Sequence, residues 1–491
     1  MSDRPQSSLA FVLVWGFLFG CPRANGQGVL AADVICPMPP AAQIVSTLVS
    51  ADCRTVAMVL HDEGNNCRIL RNGQEQGSAA DIPVAAISAD GVHLAYYARQ
   101  GGQCSVFVNG HGGPAFQAPL HFDPRMLVFS PDSERLAYIA MADHMFCVTI
   151  DGQQEARCEQ VVSFLNYSVG AEAFFAFSGD SSKCAYVRRY EGKDSLVVDG
   201  KAAVADASSI LGMSFGPRDE VAAVESLLLR DRFLVDGEAL AEAQDIPCFA
   251  LSSDGKHMAY AAERRDSNGR GPSAYNWHIV TDGRDSPPVH ADHGHLPFPL
   301  VSQLTLSFDG SRLAYAKDES QGSNAGSFAV AECVVVDGKA GPQYALAECA
   351  TFSPDGKHFA YCAERYKNVP TTNPGRYATV AKPVWVVVTD GSEGREYDLT
   401  SAPVFSPDSR HLAYAAEKDS QWSIIADGKE IAGYAAIVSQ DHIGADDRYT
   451  YPEPCRFDAV GNLLFIGVRE GQIYRVIYKP DDATTLPTTQ P

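Results

Sequence analysis

The sequence predicts an all-β protein that is built from many copies of one short unit. Three observations support this class: a ten-residue pattern recurs along the chain, each copy begins with turn-forming residues, and no long segment has apolar residues at helical spacing. The chain has 491 residues, of which 45% are hydrophobic and 20% are charged. This ordinary composition excludes an intrinsically disordered, collagen-like or polytopic membrane protein.

Each copy combines a tight turn with the start of a β-strand. The turn is Ser-Pro-Asp-Gly or a variant of it, in which Pro presets its backbone angle, Asp bonds nearby amides and Gly tolerates a positive φ. The strand then begins Leu-Ala-Tyr, so that Leu412 and Tyr414 lie on one face and Ala413 on the other. Seven clear copies begin at Ile87, Phe129, Phe177, Leu251, Leu306, Phe352 and Phe405, and weaker ones begin near Val49, Phe215 and Phe457.

The spacing of the copies predicts a β-propeller with about ten repeat frames. The anchors from Ser50 to Asp458 span 408 residues in nine steps, a mean of about 45, which is typical of four-stranded propeller blades. Later in each unit, a β-branched run ends in Asp-Gly or Asn-Gly, which favours a two-residue hairpin. The last frame lacks a strand that the segment near Val34 to Cys36 would supply. Two smaller propellers, or a degenerate blade near Phe215, are the alternatives.

The pattern FSPDG-x-x-[LF]-A-Y resembles the WD-like repeats of TolB-type β-propellers, and the resemblance covers residues 40–480. Similar repeats occur in the propeller domains of prolyl-oligopeptidase-like enzymes. The repeats begin too early to leave room for the N-terminal α/β domain of TolB. The Gly-x-Ser-x-Gly elbow of the peptidases is absent, so we do not expect a peptidase. The resemblance is specific for the fold and weakly specific for function, because propellers host unrelated activities.

The N-terminus has the pattern of an export signal. Leu9 to Phe19 is a run of eleven uncharged residues that follows Arg4, which is too short to span a bilayer and suits a signal-peptide core. Cleavage before Gln27 is one outcome; lipidation at Cys21, or an uncleaved anchor, are the others. We therefore expect a periplasmic or extracellular protein, either free or anchored in the envelope, without a later membrane span. The predicted divisions are a signal peptide at 1–26, propeller repeats at 27–480 and a disordered Thr/Pro-rich tail at 481–491.

The thirteen cysteines admit two interpretations. Without Cys21, twelve remain, an even number in a compartment that permits disulfides, and none forms Cys-x-x-Cys. Cys147 and Cys158 flank one predicted hairpin, and a Cys36–Cys455 bond would join the two ends of the ring. In the other interpretation the thiols are small buried hydrophobic groups.

The predicted partner surface is the face of the disc that carries the long insertions. Strands a and c both end in tight turns, so the b–c and d–a loops, which hold the insertions, lie together on the opposite face. Arg and Tyr are favoured at recognition surfaces. The expected function is a non-enzymatic scaffold that binds a protein or an anionic polysaccharide. The net charge of −21 argues against nucleic acid and anionic lipid. The candidate ligand-binding residues are Arg264, Tyr275, Trp277, Arg365, Tyr366, Arg376, Tyr377, Arg448 and Tyr449.

One histidine-rich insertion supports an alternative function. His290, Asp292, His293 and His295 could supply ligands to a divalent metal, although a solvated loop has the same composition. If they bind metal, the protein would be a metal-assisted polysaccharide lyase or hydrolase; otherwise no cofactor is expected. The repeated turn aspartates are predicted to be structural. The histidines at one repeat position, namely His93, His257, His358 and His411, are predicted to be solvated strand residues.

Overall fold

The chain forms a ring of ten four-stranded blades, a β-propeller, in a computed structural model. The structure describes residues 29–40, 43–62, 64, 66–166, 171–227, 230–265, 275–289, 301–318, 332–370, 379–431, 435–436 and 454–481. No helix within these residues is long and apolar enough to cross a membrane. We number the blades 1 to 10 along the chain and label the strands a to d from the centre of the ring outwards. The prediction of a β-propeller with about ten repeat frames is confirmed, and the structure gives ten blades in one ring in place of two smaller propellers.

Blades 1 to 5 occupy the first half of the chain. Blade 1 consists of Ile44–Val49, Val56–His61, Cys67–Arg71 and Gln74–Ala79; blade 2 of Ala85–Ile87, Leu94–Gln100, Gln103–Val108 and a divided strand d, His111–Gly112 with Phe116–Gln117; blade 3 of Leu127–Phe129, Leu136–Ala142, Met145–Ile150 and Gln153–Cys158; blade 4 of a divided strand a, Gln160–Val162 with Phe175–Phe177, then Cys184–Tyr190, Lys193–Val198 and Lys201–Ala207; and blade 5 of Ser209–Phe215, Val221–Ser226, Asp231–Val235 and Glu238–Ala243. A short 3₁₀ helix, Pro124–Met126, precedes blade 3. The hairpin Phe164–Asn166 and Ala171–Ala173, which interrupts strand a of blade 4, adds to the inner edge of blade 5.

Blades 6 to 10 complete the ring. Blade 6 consists of Phe249–Leu251, Met258–Arg265, Tyr275–Thr281 and Arg284–Asp285; blade 7 of Val301–Leu306, Leu313–Asp318, Glu332–Val336 and Lys339–Tyr344; blade 8 of Leu346–Phe352, Phe359–Pro370, Thr379–Thr389 and Ser392–Glu393; blade 9 of a divided strand a, Leu399–Thr400 with Val404–Phe405, then Leu412–Lys418, Gln421–Ala426 and Lys429–Glu430; and blade 10 of a divided strand a, Ala435–Ala436 with Cys455–Phe457, then Leu463–Arg469, Gln472–Tyr478 and, from the start of the chain, Val29–Pro37.

The outermost strand of blade 10 closes the ring. Val29–Pro37 pairs antiparallel with strand c of this blade, in a register that runs from Val29 opposite Tyr478 to Pro37 opposite Gln472. The predicted closing segment, Val34 to Cys36, lies within this strand. The ring is therefore closed by pairing the first described strand with the last.

The hydrophobic core lies between neighbouring blades rather than inside any one of them. In blade 9, Leu412 and Tyr414 belong to a cluster shared with blade 8, whereas Ala413 belongs to a cluster shared with blade 10. All three side chains are buried, because each face of a strand packs against a different neighbour. The strict alternation in the sequence thus serves two interfaces at once.

The tight turns have the predicted chemistry. Nine c–d turns place Asp or Asn and the following Gly at positive φ, as in Asp427-Gly428, where φ is 49° and 74°. The turn residue's side chain also accepts a hydrogen bond from the first amide of strand b, for example from Leu412 to Asp427 at 3.0 Å. In eight a–b turns the Ser hydroxyl donates to the Asp two residues later, as from Ser406 to Asp408. The prediction that the repeated aspartates are structural is confirmed.

The repeated histidine position differs from the prediction. His257, His358 and His411 each contact the Asp of their own blade's c–d turn through Nδ1, at 2.7, 2.7 and 2.8 Å. His358 and His411 are buried, at 8% and 4% exposure. The prediction of solvated histidines is wrong for these two, because each is enclosed together with its carboxylate partner, and the side chains of Asp390 and Asp427 are only 9% and 7% exposed. Where Arg occupies this position, the side chain reaches the a–b turn of the next blade: Arg312 donates to the carbonyls of Gly356 and Lys357.

Candidate ligand-binding face

The two faces of the disc have different structures. The antiparallel order of the strands places all a–b and c–d turns on one face, the turn face, and all b–c and d–a connections on the other, the loop face. On the turn face, hydrogen bonds join neighbouring blades, as from the amide of Asp132 to Ser181 at 3.0 Å. The loop face carries the irregular connections, as the strand parity of the sequence indicated.

Blade 8 extends farthest on the loop face among the described residues. Its strands b and c have 12 and 11 residues, compared with seven in strand b of blade 9. Strand b pairs with strand a only as far as Glu364, and the six pairs from Arg365 to Pro370 continue as a two-stranded arm. Six residues at about 3.3 Å each give a projection of about 20 Å. We call this hairpin the blade 8 arm.

Ion pairs hold the base of the arm. Arg365 bridges Glu393 at 3.0 Å and Glu396 at 2.9 Å, and Lys367 contacts Glu396 at 2.8 Å. The hydrogen bond from Lys367, with the nearby charges of both cations, keeps the pKa of Glu396 below its usual value. Arg365 is therefore neutralised by its own blade, whereas the neighbouring Tyr366 is 62% exposed.

The predicted residues of blade 6 lie in strands b and c, near the loop face. Arg264 pairs with Asp285 at 2.6 Å, so this cation is also neutralised within its blade. Trp277 is 8% exposed and packs in the cluster between blades 6 and 7, where it presents little surface to a ligand. Tyr275 begins strand c opposite Arg265. Blade 7 stands between these residues and the blade 8 arm, so the structure divides the predicted set between two blades.

The remaining predicted residues lie outside the described part of the chain. They are Arg376, Tyr377, Arg448, Tyr449, and the metal candidates His290, Asp292, His293 and His295, as well as Cys21 and the signal segment. Among the residues that the structure describes, no group of three or more His, Cys, Asp or Glu side chains is arranged to hold a metal ion.

The cysteines are free thiols in this structure. All twelve from Cys36 onwards lie within the described residues, and none forms a disulfide. Cys36 packs between blades 10 and 1, and Cys455 between blades 9 and 10, so the proposed bond between them is not made. Burial raises the pKa of most of these thiols, for example of Cys184 to about 12. This agrees with the interpretation that they are small buried groups.

A cluster of carboxylates lies where blades 5 and 6 meet near the loop face. Asp231 accepts the amide of Ile246 at 3.0 Å, and Asp245 is bridged to Glu263 through the backbone. Burial, with the charges of Asp231 and Glu263, raises the pKa of Asp245 to about 6. In blade 2 the same backbone bridge joins Asp81 to Arg99, which form a salt bridge at 2.7 Å. In blade 6 the corresponding bridge joins two carboxylates, so Asp245 accepts a proton at a higher pH than an ordinary Asp.

A cavity between blades 3 and 4 was not predicted. Its volume is about 520 Å³, within the usual range for ligand sites. Arg157 of blade 3 lines it together with residues of blade 4, among them Arg188, Tyr190 and Lys193. Only Arg157 is contributed by a strand outside blade 4, so no single segment of the sequence shows the site. The run Val-Arg-Arg-Tyr at residues 187–190, which continues the Cys-Ala-Tyr start of strand b, was the available signal.

Comparison with known proteins finds matches among solved structures. No protein-family model and no curated protein sequence matches it. Similar solved structures include TolB from Acinetobacter baumannii, at 17% identity and a TM-score of 0.27, which covers 60% of this chain and 77% of that one. They also include the β-propeller domain of Myceliophteria thermophila Cps50 (Swd1), at 10% identity and a TM-score of 0.25, covering 58% and 96%. The Dos1 propeller follows at 10% identity and a TM-score of 0.33, covering 81% and 95%. The class of this protein, a ten-bladed β-propeller, rests on its own ring of blades.

Proposed function

We propose that this protein is an exported, non-enzymatic scaffold that binds a protein or a cell-envelope polysaccharide through its loop face. The observation that carries the proposal is the contrast between the two faces. The turn face is occupied by hydrogen bonds between blades, whereas the loop face carries the blade 8 arm. Loops on a rigid scaffold are where binding residues usually lie.

The contacts at the base of the arm indicate how binding would work. Arg365 and Lys367 already share Glu393 and Glu396, so a partner would meet a network of paired charges and not a free positive patch. Tyr366 supplies exposed aromatic surface within this network. Such a surface suits a partner that combines hydrogen-bonding groups with apolar area.

Site-specific photo-crosslinking tests this assignment. The full chain is produced in the organism that encodes it, with a photoreactive phenylalanine analogue either at Tyr366 on the loop face or at Phe308 on the turn face. The two side chains are matched in exposure, at 62% and 55%. We expect one discrete adduct from position 366 and none from position 308.

A third variant tests whether the arm itself is required. Residues 368–381 are replaced by Asn-Gly, which joins Lys367 to its strand partner Lys382 through a two-residue hairpin turn. The crosslinker is then placed at Tyr366 in this variant. Loss of the adduct with an unchanged melting temperature is the expected result. Equal adducts from both faces, or an adduct that forms only from position 308, would show that the loop face is not the binding surface.

A further inference from the structure

Two adjacent arginines of blade 4 have opposite surroundings. Arg189 makes two hydrogen bonds to Asp194, at 2.7 and 3.0 Å, and this carboxylate is fully buried. Arg188 points to the other face of the sheet, where no described carboxylate pairs with it. The sheet therefore pairs Arg189 with a buried carboxylate on one face and presents Arg188 to the cavity between blades 3 and 4 on the other.

The register of blade 4 gathers the groups that line this cavity. Arg188 lies opposite Ser195, and Tyr190 lies opposite Lys193, so that these four residues share one face of strands b and c. Tyr190 is 52% exposed, and no described carboxylate pairs with Lys193. From blade 3, Arg157 reaches the same space and is held by Asp143 at 2.5 Å. The cavity thus combines an aromatic ring, a hydroxyl and three cations from two blades.

Two carboxylates limit the charge that the cavity can accept. Glu191 and Asp206 also line it, and Asp143 already pairs with Arg157, so Arg188 and Lys193 are the two cations that remain for a ligand. A phosphate with two negative charges would meet these carboxylates as well as the cations. A ligand with one negative charge and several hydroxyl donors uses both kinds of group, because carboxylates accept hydrogen bonds from hydroxyls.

We infer that this cavity binds a sugar unit that carries a single carboxylate, a uronate. Arg188 and Lys193 hold the carboxylate, since a guanidinium fork matches its two oxygens. Glu191 and Asp206 accept hydrogen bonds from the hydroxyl groups, and Tyr190 packs against the apolar face of the ring. The volume of about 520 Å³ accommodates one or two sugar units.

This inference deepens the proposed function and rests on it, since both place binding on the loop face. Of the two kinds of partner proposed, a protein or a polysaccharide, a uronate site favours an acidic polysaccharide. It also assigns recognition of its individual units to blades 3 and 4, away from the blade 8 arm.

Calorimetric titration of the full chain with trigalacturonate tests the inference. Maltotriose serves as the neutral counterpart and glucose 6-phosphate as the dianionic one. The variants are Arg188→Gln and Lys193→Gln, with Lys201→Gln as the control. Lys201 begins strand d of the same blade at the turn face and is also exposed, so the control removes the same charge from the opposite face. Melting temperatures verify that each variant is folded.

We expect trigalacturonate to bind and maltotriose not to bind. Each cavity variant should weaken binding about tenfold or more, because a hydrogen bond to a charged group is lost, while Lys201→Gln leaves it unchanged. Equal binding of maltotriose, tighter binding of glucose 6-phosphate, no binding of trigalacturonate, or equal losses in the control would each overturn the inference. If trigalacturonate fails while the adduct from position 366 persists, the uronate site falls and the scaffold function stands. If trigalacturonate binds while no adduct forms at position 366, the uronate site stands and the assignment of partner binding to the blade 8 arm falls.

Discussion

The three histidine–aspartate pairs of the turn face form a series in which burial changes and geometry does not. In each, Nδ1 lies 2.7–2.8 Å from one carboxylate oxygen, and the other oxygen accepts an amide of strand b at 3.0 Å. The side chains of His257 and Asp282 are 36% and 40% exposed, whereas those of His411 and Asp427 are 5% and 7% exposed. Replacing His257 or His411 by Ala therefore removes the same contact from two environments.

The expected costs differ because only one variant leaves a buried carboxylate without its partner. Removing one member of a buried pair destabilises a protein by about 3–5 kcal/mol. An exposed pair contributes about 0–1 kcal/mol. We expect His411→Ala to lower the free energy of unfolding by about 3 kcal/mol or more, and His257→Ala by less than about 1 kcal/mol. Burial already raises the pKa of Asp427, so protonation of this carboxyl should reduce the deficit of His411→Ala as the pH falls.

Urea unfolding, followed by tryptophan fluorescence and circular dichroism at pH 8 and pH 5, measures both variants. Asp427→Asn is the control, because blade 2 naturally pairs His93 with Asn109 at 2.9 Å. This variant should be destabilised less than His411→Ala. Equal destabilisation of the two alanine variants at pH 8 would refute the argument from burial. A deficit in His411→Ala that is the same at both pH values would refute the role assigned to the charge of Asp427.

Further expectations concern packing, acid stability and metal. Gly77→Ala should lower the free energy of unfolding, measured in urea, by about 1–3 kcal/mol, because the new Cβ would lie 2.1 Å from the Tyr96 hydroxyl of the next blade. The control is Gly179→Ala, which should be neutral because no atom lies within 4 Å of its new Cβ. Asp245→Asn should raise the melting temperature at pH 8 and have less effect at pH 5. The reason is that the pKa of Asp245 is raised to about 6, so the ionised carboxylate destabilises the folded protein. A lower melting temperature at pH 8 would contradict this prediction. The turn aspartates act in the opposite direction. Hydrogen bonds from Ser178 and Ser182 lower the pKa of Asp180 to about 2, so the stabilisation from this carboxylate is present above about pH 4 and is lost towards pH 2. An acid titration followed by circular dichroism should show this loss, and an unchanged signal would count against the assignment. Metal analysis of untagged protein, after divalent metal has been offered, should find a stoichiometric ion that disappears in His293→Ala if the histidine-rich insertion is a site; less than about a tenth of an equivalent removes that hypothesis.

The ring was predictable from sequence because its determinants are local and repeated. The Ser-x-Asp turns, the Asp-Gly hairpins and the alternation of Leu412, Ala413 and Tyr414 each describe one blade, and repetition supplied the count. Even the closing strand near Val34 could be inferred, since the last frame lacked one. The burial of His411 was not predictable in the same way, because it depends on a partner, Asp427, that lies 16 residues later in the chain and is itself buried.

The site was less predictable for the same reason. Arg264 and Arg365 stand out in long insertions, but the carboxylates that neutralise them lie in strand d or just after it, 21 to 31 residues later in the sequence. Arg188 attracts no attention beside Arg189, and only strand parity distinguishes the arginine that faces Asp194 from the one that faces the cavity. Pairing across strands and between blades decides which cation is available to a ligand.

The seam in blade 10 determines how the ring would respond to tension. Val29 lies opposite Tyr478, so both ends of the described chain emerge at the same end of the closing strand pair. A force applied between them would load the hydrogen bonds one at a time, as in opening a zipper, and not all together in shear. Arg475, in strand c of blade 10, donates a hydrogen bond to the carbonyl of Asp52 in blade 1 at 3.0 Å. Separating blade 10 from blade 1 would therefore also require this hydrogen bond to break. Under a force between these two ends, we therefore expect the propeller to open at this joint before any interior blade loses its strands.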